Sequence, residues 1–521
     1  TLKIYIHDSR YPVCITCITT LPVVHLRSKL SPLADFLEIF PEKRMKNADF
    51  VQNFLHEQRD YFASVSEYLF AHPETRFEEY ESAAWLIAQC ERQGFTVSRA
   101  AGGIETAFVA SYGSGAPVIA FLGEYDALAG LGQVANVSTR QATPACSNGH
   151  GCGHNLLGTG AFAAACAVKA WLEERGLPGT VKFFGCPGEE GGSGKTFMVR
   201  AGVFDGVDAA LTWHPSPANA IMSLSTLANY QVAFHFQGIP SHAANSPHLG
   251  RSALDAVELM NVGVQYLREH IIPAARVHYA VTNSGGISPN VVQAEAEVLY
   301  LIRAPQVAQV EEIYQRIIKI AQGAALMTET SLTVKFDKAC SNYIPNRALE
   351  RLLHASLQTV GVAAPTPAEV DVAAAIRQTL SEGERAGALD VMRSFGYHGD
   401  GHEFAGKHLA DSISPYVASE AVMAGSTDVA DVSWVAPTAQ LTTSTAALGT
   451  ALHTWQMTAQ GISSNAHKAM LRAAAAMADT ALTLLEDTGT LQAVRAEFAA
   501  FRAENPYHNP IPADVQPSKL K

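Results

Sequence analysis

The apolar positions of this chain change period along its length, and the changes mark out its elements. From Asp49 to Phe70 apolar residues recur at helical spacing, ending in the turn-like His72-Pro73-Glu74, and a second helix is predicted over Glu79–Gln93. Pro117–Leu122 (PVIAFL) is a short continuous apolar run, as expected of a strand buried on both faces. Residues 155–175 predict an alanine-rich helix with an apolar face, Gly179–Gly185 (GTVKFFG) a second buried strand, and Asp208–Thr212 a third. Strands alternating with helices in this way predict an α/β fold around a mainly parallel central sheet.

The texture changes near residue 229. Tyr230–Phe236 (YQVAFHF) alternates like a half-buried strand, Ser252–His270 predicts an amphipathic helix, and Val291–Arg303 and Ser331–Lys338 predict two more strands. Residues 229–340 are therefore expected to form a separate α+β domain inserted into the first, leaving the larger domain discontinuous over 46–228 and 341–510. Residues 1–45 lack clean periodicity and are expected to be an extension; 363–412, rich in Ala, Pro and charge, is expected to be a surface excursion; 465–503 returns to helix.

Composition narrows the function classes. With 48% hydrophobic and 17% charged residues over 521 positions, the chain has room for two or three domains and a large core. A net charge of −12 repels phosphate backbones, which argues against nucleic acid as a partner. No apolar run is expected to reach the ~18 residues needed to cross a bilayer, so no membrane is expected. The eight cysteines are scattered without a paired framework, which fits a reducing compartment and a cytoplasmic location. Cys14 and Cys17 form a CxxC, but no second pair follows at zinc-ribbon distance.

The candidate chemistry sits where the predicted strands end. Glu124 and Asp126 follow the first strand, Glu189-Glu190 the second and His214 the third, while Cys152-Gly153-His154 precedes the alanine-rich helix. In open α/β sheets ligands bind outside the carboxyl ends of the strands. Imidazole, carboxylate and thiolate together suit a borderline divalent metal. In such a cluster one glutamate of the pair can ligate while the other handles protons, which points to metal-assisted hydrolysis. Asp126 could accept a hydrogen bond from a ligand imidazole and fix its tautomer. The run Gly188–Thr196 imitates a phosphate-binding loop, but five residues rather than four separate Gly188 from Gly194, and its two glutamates would repel phosphate. In the inserted domain His242 follows a strand, where it could donate to an oxyanion, and Asn290 and Arg303 could hold a substrate carboxylate. Spacing alone assigns no role to His453 and leaves His150, His248 and His467 open as ligands.

The stretches HPETRFEE, LGEYDALAGL, GHGCGHNLLGTG, GCPGEEGGSGKTFMVR, HAANSPHLGRSALDAV, SGGISPNVVQAEAEVLYLIRAP and LHTWQ resemble the amidohydrolase branch of the M20 metallopeptidase family, from about Ala48 to the C-terminus. The resemblance implies an α/β metallohydrolase domain with an inserted α+β lid or dimerisation domain. It implies two divalent ions, manganese ahead of zinc, held by Cys152, His154, Glu190, His214 and His453. Glu189 would be the general base, His242 the oxyanion donor (in this family often across a dimer interface), and Asp126 the residue that orients a ligand histidine. Asn290 and Arg303 would hold the carboxylate of the substrate. The implied reaction is hydrolysis of p-aminobenzoyl-glutamate to p-aminobenzoate and glutamate, by a homodimer or by a hetero-oligomer with a related A subunit. Rival expectations are another N-acyl amino acid or dipeptide as substrate, a metal-binding subunit with little activity alone, and a hydrolase using Cys152 as a thiol nucleophile. The chain departs from the family at two places: Asn155 stands where the branch has Asp, and Glu124 where other branches have a metal-binding histidine.

Overall fold

The computed structural model describes residues 41–144 and 146–519; most of the expected extension, with Cys14 and Cys17, lies outside them. In chain order the strands are β1 (Thr96–Arg99), β2 (Phe108–Ser114), β3 (Val118–Glu124), β4 (Gly179–Cys186), β5 (Ala209–Ser216), β6 (Ala220–Ile221) and β7 (Ser225–Thr226). There follow β8 (Ala228–Gln237), β9 (Arg276–Asn283), β10 (Glu295–Ala304), β11 (Ser331–Cys340), β12 (Val422–Met423) and β13 (Thr438–Ser444).

Seven strands form one sheet in the order β1-β2-β4-β3-β5-β13-β6. Its centre, β4-β3-β5-β13, is parallel, and antiparallel strands close both edges. The chain leaves β3 towards β4 on one side and then crosses back to β5 on the other. The carboxyl end of β3 is thus the switch point where ligand sites form in open sheets.

Buried faces explain why these strands are apolar throughout: every residue of β13, and all of β3 after Val118, is buried. The helix His154–Arg175 lies across β3, β4 and β5. Two glycines let it close on the sheet, because a Cβ at Gly158 would lie 2.5 Å from the Glu124 carbonyl oxygen and one at Gly160 2.7 Å from the Trp213 indole. Trp213 Nε1 in turn donates to Leu157 O at 3.0 Å. By length and composition this helix could span a bilayer, contrary to the expectation from the sequence, yet 89% of its apolar window is buried inside the protein. It is a core helix.

The segment 228–340 forms a four-stranded antiparallel sheet, β11-β8-β10-β9, with the helices Ala253–Leu267 and Val307–Thr328 packed on it. One expectation fails in the 363–412 region. It carries the helices Pro367–Gln378, Glu382–Ala386 and Ala388–Ser394, and it buries Met392, Tyr397 and Phe404 in a small apolar cluster with Ala218 and Leu448. Two of these helices turn apolar residues inward, Ala373 and Ile376 from the first and Met392 from the third, while the charged helix between them buries nothing.

Candidate metal centre

The cluster is built at the switch point. Glu124 closes β3 and Asp126 lies two residues beyond, Glu189 and Glu190 follow β4, and Cys152-Gly153 leads into the helix that begins at His154. Gly153 takes a φ of +78°, a conformation that favours glycine, which lets the chain turn between its two donor neighbours. His214 lies within β5 rather than after it, because that strand continues to Ser216 in register with β13. His453 comes from a distant loop and is held at a φ of +61°, with its N–H donating to Gly151 O at 2.9 Å. A non-glycine residue in that region is strained, and such strain gathers at functional sites.

Donor atoms converge in two trios that share one thiol. Cys152, His154 and His214 offer atoms within 4.8 Å of one another, and so do Cys152, Glu190 and His453. A third trio, Glu124, His154 and Glu189, abuts them. Cys152 Sγ lies 3.4 Å from His214 Nε2, and Glu190 Oε2 lies 3.3 Å from His453 Nε2.

The histidines are oriented from behind. His154 Nδ1 faces only acceptors, Asp126 Oδ1 at 3.0 Å and Asp126 O at 3.1 Å, so this nitrogen carries the hydrogen. His214 Nδ1 likewise donates to Pro215 O at 2.7 Å. Both rings are therefore fixed with the lone pair of Nε2 turned into the cluster, the tautomer a metal requires. Asp126 Oδ2 also accepts from the Glu190 N–H at 2.7 Å, so one carboxylate positions two donor residues. His154 Nε2 and Glu190 Oε1 are buried without hydrogen bonds, and Glu124 Oε2 stands 3.3 Å from that nitrogen. Lone pairs turned towards one another at a buried point fit divalent cations between them.

Electrostatics separate the two glutamates. Burial, with the charges of Glu124 and Glu190 beside it, pushes Glu189 well above the usual carboxylate range. Burial also opposes ionisation of Glu190, but the hydrogen bond from His453 and the charge of His154 outweigh it and hold that carboxyl at about 2. A pair pushed apart in this way matches one ligand and one proton carrier. Glu124 is engaged by Lys195, 2.6 Å away, which also meets Asp428 Oδ1 at 2.6 Å; all three are buried. The lysine of the loop that imitates a phosphate site is therefore consumed by carboxylates.

Asn155 spends its amide donors on Ser66 Oγ at 3.0 Å and Gly461 O at 2.9 Å, bonds that an aspartate could not donate. His150 donates to Leu69 O at 3.0 Å and lies outside the three trios, as do His248 and His467.

A cavity of about 450 Å³ opens over the cluster, lined by Cys152, Glu189, Glu190, His214 and His453 together with Arg303. His242 and Asn290 do not line it. They sit together at an exposed end of the smaller sheet, where Ala243 N donates to Asn290 O at 2.9 Å and His242 Nδ1 accepts from Asn245 N at 3.1 Å. Sequence reasoning missed Phe395, Gln231 and Lys338 among the cavity residues. Phe395 was hidden in a region read as surface, and Lys338 at the end of a strand.

Residues 120–409 match the model of peptidase family M20/M25/M40. The chain belongs to this family. It is 54% identical to the B subunit of the p-aminobenzoyl-glutamate hydrolase of Escherichia coli K12 over 476 residues, 91% of this chain and 99% of that protein. It is 32% identical to the mouse Xaa-Arg dipeptidase over 310 residues, 57% of this chain and 67% of that one. Among solved structures, an aminobenzoyl-glutamate utilization protein from Klebsiella pneumoniae shares the fold with a TM-score of 0.55 at 17% identity, covering 83% of this chain and 98% of that one. M20 membership agrees with what the donor cluster suggests independently, hydrolysis assisted by metal.

Proposed function

We propose that this chain hydrolyses p-aminobenzoyl-glutamate to p-aminobenzoate and glutamate, with Cys152, His154, Glu190, His214 and His453 holding two divalent ions, manganese before zinc. The observation that carries the reading is the pair of donor trios sharing Cys152 beside Glu189, a glutamate that lines the same cavity. The near full-length identity to a hydrolase named for that substrate supports it. Bound there, the ions supply Lewis acidity towards the amide carbonyl and acidify water. Glu189, which lines the same cavity, takes the proton of the attacking water and returns it to the leaving nitrogen. Asp126 keeps the His154 ring in its donor tautomer. Arg303 receives the α-carboxylate of the substrate.

His242 and Asn290 act in this reading from across a subunit interface, His242 steadying the oxyanion. Their exposed place is consistent with that. So is an apolar stripe on the helix Ala253–Leu267, where Leu259, Val262 and Tyr266 are 39%, 54% and 75% exposed. The relatives named as subunits B and A of one hydrolase support a hetero-oligomer with a related A subunit. The free thiols of Cys90, Cys146, Cys166, Cys186 and Cys340 are in keeping with a cytoplasmic location.

The test is metal analysis of the purified chain together with an assay for p-aminobenzoate release, with and without the A subunit. Glu189→Gln should keep its metal and lose about 10²–10⁴-fold in turnover. Near-normal turnover in that variant would remove Glu189 from proton transfer, and absence of release under every condition would end the reading.

A further inference from the structure

The cavity over the donor cluster holds a second cation that the reaction so far leaves unused. Lys338 lines the cavity together with Arg303, Asn229, Gln231 and Leu301. It is only 7% exposed. No carboxylate of the described residues stands within 4.0 Å of its ammonium. The adjacent Asp337 does not serve it: Oδ2 accepts from Gln231 at 2.6 Å and meets Arg76 at 3.2 Å, and Oδ1 accepts from Ser518.

Local geometry shows how a lysine comes to face this way. Along β11, Leu332, Val334 and Phe336 pair with Phe236, Phe234 and Val232 of β8 and share the face that packs on the helices. Strict alternation would put Lys338 on that apolar face as well. A register shift intervenes between Phe336 and Lys338, so that Val232 pairs with Phe336, Gln231 pairs with Lys338, and Asp337 has no partner. This is a β-bulge, and it turns Lys338 to the opposite face, the one that bears Gln231 and Asn229. In the same sheet Arg303 pairs with Asn229 and Leu301 with Gln231. Arg303 and Lys338 therefore stand on the strands to either side of β8, two residues out of step, with both side chains at the cavity.

We propose that Lys338 receives a second carboxylate, so that the site selects N-acyl derivatives of acidic amino acids, Arg303 taking the α-carboxylate and Lys338 the side-chain carboxylate. The inference rests on the amide-hydrolase reading above and specifies its substrate class. Burial pushes the Lys338 ammonium pKa down, a sign that its charge is poorly solvated. An incoming anion would relieve that cost. Arg303 Nε is likewise buried without a partner. A neutral or cationic side chain on the substrate would leave the lysine buried and unpaired, the arrangement by which a polar site rejects the wrong ligand.

The test compares p-aminobenzoyl-glutamate with p-aminobenzoyl-glutamine, which keeps the shape and removes one charge, on the full metal-loaded chain. The native protein should favour the glutamate compound at least tenfold in kcat/KM. Lys338→Met should lose that preference by raising KM for the glutamate compound alone, and Lys338→Arg should retain most of it. Equal kcat/KM for the two compounds in the native protein, a comparison that needs no variant, overturns this inference and leaves the hydrolase reading standing. An equal loss on both compounds in Lys338→Met also overturns it. Turnover of neither compound overturns both.

Discussion

At the residue scale the most heavily used group around the cluster is Asp126. Its two oxygens serve His154 Nδ1 and the Glu190 backbone N–H, so it fixes one imidazole and one carboxylate without facing the cavity. Asp126→Ala leaves His154 Nδ1 with the backbone acceptor at 3.1 Å and leaves the Glu190 N–H unpaired. Metal affinity should then fall about 10–100-fold, measured by calorimetric titration of the metal-free protein. Unchanged affinity would mean that the backbone carbonyl alone orients the ring. Sequence alone made this contact readable as one type of interaction open to a carboxylate that follows a strand end, which could equally have capped a helix. It could not show that the same carboxylate also anchors Glu190, since that bond uses a backbone N–H, which every residue but proline possesses.

At the element scale, what the hydrophobic pattern carried well was long and buried: the helix His154–Arg175 and the apolar cores of β3 and β4 lie within a residue or two of where periodicity puts them. What it missed depends on partners. β5 runs on to Ser216 because β13 pairs with it, and Pro215 and Ser216 carry no apolar signal of their own. The bulge at Asp337 is a two-against-one count between strands, and a single sequence does not display its pairing partner. The helix Ser464–Glu486 supplies a test away from the cluster. His467 lies in its opening turns with Nε2 buried and unbonded, and burial pushes its pKa down to about 4 from 6.5. A cation near a helix N-terminus is opposed by the backbone dipoles as well. Because the folded pKa lies below the unfolded one, the unfolded state binds more protons between pH 4 and 6.5. The contribution is intact above that window and lost as pH falls through it, by at most about 3 kcal/mol at ~1.4 kcal/mol per unit. Urea unfolding of the native protein and of His467→Gln at pH 7.5 and 4.5 checks this: the variant should gain on the native protein at the lower pH. A stability difference that does not change with pH would show the ring to be solvated.

At the scale of the whole molecule the cluster acts as a clasp. Its donors come from the end of β3, the turn before the long helix, the loop after β4, β5 itself, and a loop beyond β13. Ions held there join segments that are remote in sequence, and they bind the folded chain far better than the unfolded one, in which the donors are dispersed. At a free concentration a hundredfold above Kd, each ion would add about 2.7 kcal/mol of stability. Unfolding entropy near 2.1 cal/mol/K per residue gives about 1.1 kcal/mol/K for 521 residues, so two ions should raise Tm by about 5 °C. Calorimetric scans of the chelator-treated protein with increasing manganese should show a Tm that climbs with concentration, and Cys152→Ser should flatten the climb because both trios contain that thiol. A melting temperature indifferent to manganese and zinc alike would mean that the convergence of these side chains is not a metal site. The same result in Cys152→Ser alone, with the native protein responding, would assign the clasp to the shared thiol.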